Sequence, residues 1–306
     1  MSTFLIFSRH YDAASATTYS RILQILRGQG CRVIVWPDLF DQMLQAGFAD
    51  VYTADRMEPH DDISEASAVL SVGGDGTFLA AAKVVLGSHV PILGINRGHL
   101  GFLADVPPDH LHEALADLLA GNYRTSDVPV LNMYADDARL PIGCAINEFA
   151  ISKCDNSSMI TLDTYVDGDY LTTYWADGLI VSTATGSTAY NLSVGGPIVC
   201  PTSPCIILTP MAPHNLTIRP LVLPMSSVLT LHVNGRGPNV MVSYDGQTSV
   251  RPNGGWFRIG KTAASVKRIQ LRSYSFFASI RDKLMWGADM RNASDIPLRP
   301  LQDFEQ

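Results

Sequence analysis

The chain has 306 residues, 46% of them hydrophobic and 17% charged, with a formal net charge of −7 and a pI near 5.5. That composition is globular and gives ample length for a buried core, in two domains or one large one. It argues against a nucleic-acid binder, since no basic stripe or Lys/Arg cluster appears. A polyanionic ligand would have to rely on backbone amides and local cations, with Lys83, Arg97 and His99 nearest the glycine-rich run at 73–77.

Five scattered cysteines (Cys31, Cys144, Cys154, Cys200, Cys205) without a C-x-x-C fit a reducing compartment and speak against structural zinc. The N-terminal apolar run is too short for a signal peptide, and no stretch approaches the ~18 residues of a membrane span. The expectation is a cytoplasmic, soluble protein with no membrane partner.

In chain order, a short β run at 4–8 precedes helical spacing over 17–27 (Tyr19, Ile22, Leu23, Leu26). Residues 31–36 are β again, 39–46 helical, and the polar 53–65 a loop. A strand at 68–72, a helix at 76–87, a strand at 91–95 and a helix at 109–121 follow. Such alternation predicts βαβ units, a parallel sheet with helices on both faces.

After residue 125, short β runs dominate, at 130–135, 143–153, 159–166, 178–183, 205–210, 227–233, 239–244, 256–260 and 266–272. Gly, Pro, Asn and Asp separate them, which predicts a mostly antiparallel β domain. Residues 277–286 return to helical spacing, and the tail from about Met290 reads as solvated. The expected organisation is an α/β domain over 1–125, a β-rich domain over 126–275, and a helix and tail over 276–306 able to pack back on the first. The cleft between the two domains is the default site.

The richest motif is Gly73-Gly74-Asp75-Gly76-Thr77, set between an apolar strand and a helical pattern. Glycines let the backbone approach a ligand closely, and the helix start offers free N–H groups and a positive dipole end to phosphate. A carboxylate is out of place among anions, so Asp75 needs a task such as taking a proton from a hydroxyl or holding Mg²⁺. The plain alternative is a helix cap.

The loop 96–103 follows the next strand, so its glycines and Arg97 can reach the same crevice; a simple β-turn is the alternative. Asn147-Glu148 interrupts an apolar strand, and an amide beside a carboxylate suits paired ribose hydroxyls, unless the strand merely lies at an edge. Residues 175–197 gather many small hydroxyl side chains at a strand-to-helix turn, with Tyr190 able to stack on a base. Asp245-Gly246 is a weaker signal, since Asp-Gly is a favoured hairpin turn. A formal Walker match over 255–262 has the bulky interior Trp256-Phe257-Arg258-Ile259 and strand-like flanks, so it is rejected. His10, His60 and His214 have no spacing partners that make a metal motif.

Together, Gly73-Gly74-Asp75-Gly76-Thr77, Asn147-Glu148, Asp177-Gly178, Thr185-Gly186-Ser187-Thr188-Ala189-Tyr190 and Gly195-Gly196-Pro197 resemble the NAD kinase family. The similarity continues through Thr209-Pro210, Pro213-His214, Arg219-Pro220-Leu221 and Asp245-Gly246 to Lys283-Leu284-Met285-Trp286-Gly287. The glycine loop alone is shared with lipid kinases; the 177–197 segment favours NAD kinase.

The resemblance implies a Rossmann-like N-terminal domain, a β-rich C-terminal domain, a homodimer or homotetramer, and the reaction NAD + ATP → NADP + ADP with Mg²⁺. It implies Asp75 as the base on the adenosine ribose 2′-hydroxyl, with Gly73, Gly74, Gly76, Thr77 and Arg97 around the donor phosphates. Asn147 and Glu148 would hold NAD, Asp177 would meet the nicotinamide end, and Thr188, Ala189, Tyr190, Asn191, Leu192 and Ser193 would line the adenosine pocket. Ala212 and Gln247 fall at further NAD-lining positions, and Phe102, Trp175 and Asp245 are additional candidate contacts; no protein metal site is expected. The chain departs from the family pattern at Ala184 (usually proline), Asn191 (usually serine) and Trp175 (often basic). The competing readings are a diacylglycerol-type lipid kinase and a catalytically silent NAD(P)-binding sensor.

Overall fold

The fold was taken from a computed structural model, which describes residues 1–98, 101–136, 138–154 and 158–287. His99 and the tail from Met290 lie outside the described residues. Residues 1–272 form one compact unit, and the segment from Ser273 onward forms a second.

The first 122 residues build β1 (Thr3–Phe7), α1 (Ala16–Gly28), β2 (Arg32–Val35), α2 (Pro37–Gln45), β3 (Asp55–Arg56), β4 (Ala68–Val72), α3 (Asp75–Val85), β5 (Ile92–Ile95) and α4 (Leu111–Ala120). The five strands are parallel, in the order β5-β4-β1-β2-β3. Side chains alternate across a strand, and the core follows that rule. Phe4 and Ile6 join Tyr19, Leu26, Leu39 and Leu115 on one face. Leu5 and Phe7 join Phe78, Leu79 and Val85 on the other. Helices therefore cover both faces, as the alternation in the sequence predicts.

The rest of the first unit is β-rich: β6 (Tyr123–Ala135), β7 (Gly143–Ala145), β8 (Glu148–Lys153), β9 (Ile160–Val166), β10 (Asp169–Ala176), β11 (Gly178–Thr183), then a 3₁₀ turn (Thr185–Thr188) and the single helical turn α5 (Tyr190–Ser193). It continues with β12 (Cys205–Met211), β13 (Leu221–Pro224), β14 (Leu229–Asn234), β15 (Asn239–Tyr244), β16 (Gln247–Pro252) and β17 (Trp256–Leu271). A six-stranded antiparallel sheet, β13-β12-β11-β8-β15-β16, packs on β9, β14, β17 and β6. Leu131, Leu162, Leu231 and Phe257 meet Phe149, Leu179, Leu208 and Val242 in this second core.

Three expectations change. The two β runs at 256–260 and 266–272 are one 16-residue strand, bent by an irregularity between Lys261 and Ser265. The 143–153 run breaks at residues 146 and 147. Strand β8 is central in its sheet, so Asn147 and Glu148 do not mark an exposed edge; both are buried. The formal Walker match lies on extended β17.

Strand β17 pairs antiparallel with β14 and β6, and through Arg268 with Ile92 of β5, which joins the parallel and antiparallel parts in one sheet. Arg268 is buried there with its guanidinium 2.9 Å from Asp105. In the second unit, Ser275 caps α6 (Phe276–Leu284) by accepting from the Ala278 amide, and Arg281 and Lys283 sit at the helix C-terminus, where cations are favourable.

Candidate active site

Strand β4 is fully buried and delivers the chain into the glycine loop at the C-terminal edge of the parallel sheet. Gly74 is the N-cap of α3, and its carbonyl accepts from the Thr77 and Phe78 amides. The Gly73 amide donates to the Ile95 carbonyl at 2.8 Å, which fastens the loop to β5.

Asp75 does not cap its own helix. Its Oδ1 accepts from the Leu103 and Ala104 amides, both at 2.9 Å, and Oδ2 accepts from the Phe102 amide at 2.8 Å. A carboxylate offers about four lone-pair directions. Two on Oδ1 and one on Oδ2 are taken, so Oδ2 retains one for a substrate hydroxyl. Gly101 is required beside it, because a Cβ there would sit on the Asp75 carboxylate. Phe102 thus enters through its backbone.

Arg97, expected near phosphate, is held by the loop after β1. Its Nη1 meets the Asp12 carboxylate, the His10 carbonyl at 3.0 Å and the Ser15 hydroxyl at 3.3 Å. Its acidic partner lies five residues past β1, which sequence order does not suggest. A different cation, Arg9, approaches Gly76: its Nη1 is 3.9 Å from where a Gly76 Cβ would stand. Arg9 had no signal in sequence, lying outside every motif.

The second group gathers at one end of the six-stranded sheet. The Asp245 carboxylate accepts from the Ile146 amide at 2.8 Å, the Asn147 amide at 2.9 Å and the Glu148 amide. Asp245 and Gly246 both have positive φ (45° and 77°), the hairpin turn that Asp-Gly favours. The motif therefore does two jobs, turning the β15–β16 hairpin and clamping the Asn147-Glu148 segment. Burial pushes the Asp245 carboxyl above its ordinary range, opposed by these amides and by Lys83. Lys83 also stands 5.4 Å from the Tyr244 ring centroid. Ile146 shares a buried core with Phe78 and Leu103, which anchors this segment in the same packing as α3.

The turn after β11 closes over that segment. The Thr183 hydroxyl donates to the Ile146 carbonyl at 2.6 Å, and the Thr183 amide to the Asn147 carbonyl at 2.8 Å. Gly186 packs so closely on Asn147 that a Cβ there would overlap its carbonyl. The Tyr190 amide donates to the Glu148 carboxylate, while Glu148 Oε2, buried, has no partner in the protein. The Tyr190 ring is exposed, as is Ser193; Thr188, Ala189 and Leu192 are half-buried. Gln247, at the start of β16 just after the Asp245-Gly246 turn, is exposed.

Asn191 behaves differently from the pocket-lining residue expected. Its Nδ2 donates to the Ser187 and Pro197 carbonyls, both at 3.2 Å, and its Oδ1 accepts from the Thr209 hydroxyl at 2.6 Å. The side chain is fully buried, so it pins the turn to β12 and leaves only backbone for a ligand.

Asp177, Trp175 and Ala212 are not brought to this end. Gly178 pairs with Ser152 and Ser182 with Glu148, so Asp177 stands at the opposite end of β8 and β11, about 16 Å away at ~3.3 Å per residue. There Asp177 pairs with Lys153 at 2.8 Å, the His214 amide donates to the Trp175 carbonyl at 2.8 Å, and Ala212 has a positive φ of 43°. Trp175 is 59% exposed. Lys153 was silent in sequence, because its partner is fixed by cross-strand register and not by spacing.

Residues 4–123 match the ATP-NAD kinase N-terminal domain, and residues 146–271 match the ATP-NAD kinase C-terminal domain. The chain belongs to the NAD kinase family. An NAD kinase of Bacteroides fragilis (strain ATCC 25285) is 40% identical over 289 residues, covering 94% of this chain and 99% of the relative. One of Flavobacterium johnsoniae is 44% identical over 227 residues, or 73% and 77% of the two chains. Among solved structures, an NAD kinase from Archaeoglobus fulgidus in complex with ATP is similar at a TM-score of 0.71 and 25% identity, covering 93% of this chain and 99% of that one. Yeast NADH kinase complexed with NADH shares the fold, with a TM-score of 0.84 at 23% identity over 96% and 90%.

As a member of the NAD kinase family the chain is a phosphotransferase, and the lipid-kinase reading falls away. Against the family pattern, Ala184 is fully buried in a small cluster with Cys205 and Ile207. Asn191 gains three internal bonds that a serine could not span, and Lys153 brings a cation to Asp177 where Trp175 offers none.

Proposed function

We propose that this chain transfers the γ-phosphoryl group of ATP to the 2′-hydroxyl of the adenosine ribose of NAD, giving NADP and ADP. The observation that carries the reading is Asp75, fixed by three backbone amides at the head of the glycine loop with one Oδ2 lone pair left. Phosphoryl transfer asks mainly for positioning and charge neutralisation. A ribose hydroxyl is a poor nucleophile at neutral pH, and a carboxylate within hydrogen-bond reach accepts its proton as the new O–P bond forms.

Asn147, Glu148 and the 188–193 turn would hold the adenosine half, with Tyr190 against the base. Asp245 acts by clamping the backbone beneath them. Gly73, Gly74, Gly76 and Thr77 would face the donor phosphates. Among the described residues no three His, Cys, Asp or Glu side chains converge as a metal site. Mg²⁺ would be carried in by ATP, because it prefers phosphate oxygens and water to a protein cage; when bound it would neutralise donor charge.

A homodimer or homotetramer belongs to this reading, supported by the separation of the Asp177 end from the Glu148 end, which a second copy can bridge. So does a cytoplasmic location, supported by five cysteines left as free thiols. Among the described residues no helix is long and apolar enough to cross a membrane.

The test is NADP formation from ATP, NAD and Mg²⁺, comparing the wild type with Asp75→Asn. The variant should lose about 10²–10⁴-fold in kcat, the usual worth of a general base. Near-normal turnover in a folded Asp75→Asn protein ends the assignment, and saturable NAD binding without NADP marks a silent sensor.

A further inference from the structure

We infer that Arg9 is the donor-binding cation of this enzyme, its guanidinium holding the phosphate chain of ATP over the glycine loop. The inference rests on the ATP-dependent reaction proposed above.

Three independent observations converge on it. The first is topological. In the order β5-β4-β1-β2-β3, the chain leaves β1 toward β2 and β3, then returns to build β4 and β5 on the other side. The connections from β1 and β4 therefore diverge, and in open α/β sheets ligands bind at such a divergence, outside the carboxyl ends of the strands. Arg9 lies two residues past β1, and the loop 73–76 follows β4, so the two flank that crevice.

The second is proximity with freedom. Arg9 Nη1 is 3.9 Å from a Cβ position on Gly76, the side chain is exposed, and among the described residues its guanidinium has no hydrogen-bond or ion-pair partner. Among the described residues the amides of Gly74, Asp75 and Gly76 at the start of α3 are likewise without partners, since the first amides used are those of Thr77 and Phe78. Free donors and a free fork-shaped cation face the same loop, an arrangement suited to phosphate.

The third is charge. The chain carries −7 overall, and Asp75 adds a carboxylate at the point where the donor must sit. A polyphosphate needs a local cation to overcome that field. Arg97, the obvious candidate by sequence, is committed to Asp12 and the surrounding loop. Arg9 is a nearby guanidinium without a partner among the described residues.

The experiment compares wild type, Arg9→Ala and Arg9→Lys in NADP formation and, separately, in calorimetric binding of MgATP without NAD. Arg9→Ala should raise KM for ATP about ten- to a hundredfold, the worth of a charged hydrogen bond, with KM for NAD within about twofold. Arg9→Lys should recover part of the loss, because it restores the charge but not the fork. An unchanged KM for ATP in Arg9→Ala overturns the inference, as does a parallel rise in both KM values or a lowered melting temperature, which would mark a structural role. Should the wild type bind MgATP yet make no NADP, the proposed reaction fails. A weaker MgATP affinity in Arg9→Ala would then still support the assignment, and an equal affinity would overturn it.

Discussion

Glu148 is buried beside the charge of Asp245, with its Oε2 unpaired. Burial first, and Asp245 second, push its pKa up from 4.5 to about 8, against the opposing pull of the Tyr190 amide. A neutral acid at this position can donate to a ribose oxygen as well as accept from a hydroxyl. The structure thus keeps an uncharged carboxyl where two hydroxyls are proposed to bind.

The pH dependence follows with a definite sign. The folded protein keeps the Glu148 proton up to about 8, whereas the unfolded chain loses it near 4.5. Between these values the unfolded state binds fewer protons, so stability falls as pH rises and levels off above the folded value. Glu148→Gln removes that slope. The difference in unfolding free energy between Glu148→Gln and wild type, read from denaturant melts, should widen from about pH 5 to about pH 8 and then stay constant, with a total on the order of a few kcal/mol. Parallel curves for the two proteins across this range would show that Glu148 ionises normally.

Gly101 tests the seat of Asp75. An alanine there places a methyl group on the carboxylate, so either Asp75 or the loop 101–104 must shift. A displacement of about 1 Å in a reacting group can cost on the order of 10²-fold. Gly101→Ala should therefore lower kcat by about that factor, with both KM values changed far less. Turnover within about twofold of wild type would mean that the amide cradle is not the working position of Asp75.

Lys153 tests the other end of the sheet. Its pair with Asp177 is partly exposed (24% and 37%), so it is worth about 0–1 kcal/mol and Lys153→Met should leave stability nearly unchanged. The ion pair does, however, cancel the Asp177 charge. NAD carries a positive nicotinamide and NADH a neutral one, so freeing Asp177 should move kcat/KM toward NAD by about two- to fivefold, less at high salt. A ratio of NAD to NADH use that does not move would take Asp177 away from the nicotinamide.

Much of this was legible in the sequence, for identifiable reasons. The alternation of strand and helix up to residue 121 follows from periodicity, and the helices begin and end within a few residues of where it places them. The glycine loop and the 177–197 segment carry their chemistry in their residue types. Strands β10, β13 and β16 escaped, because Asp169–Ala176, Leu221–Pro224 and Gln247–Pro252 expose many side chains and lack a clean apolar alternation. The partner of an arginine is less readable still. Arg97 and Arg9 differ in what lies across the sheet edge from each, which no local pattern encodes. Asn191 misled for a related reason: a polar residue within a run of hydroxyls looks like a ligand contact, yet its amide is consumed by Ser187, Pro197 and Thr209.

Strand β17 also limits how such a protein can be taken apart. One stretch of it pairs with β14 and β6, and its later residues lie between β6 and β5. A fragment ending near residue 125 would leave β5 with a bare edge, an open template for another chain. The two halves are therefore not exchangeable modules. Variation is free to work on the loops at either end of the sandwich, but recombination that grafts one half onto a foreign partner would have to supply a replacement for this one strand.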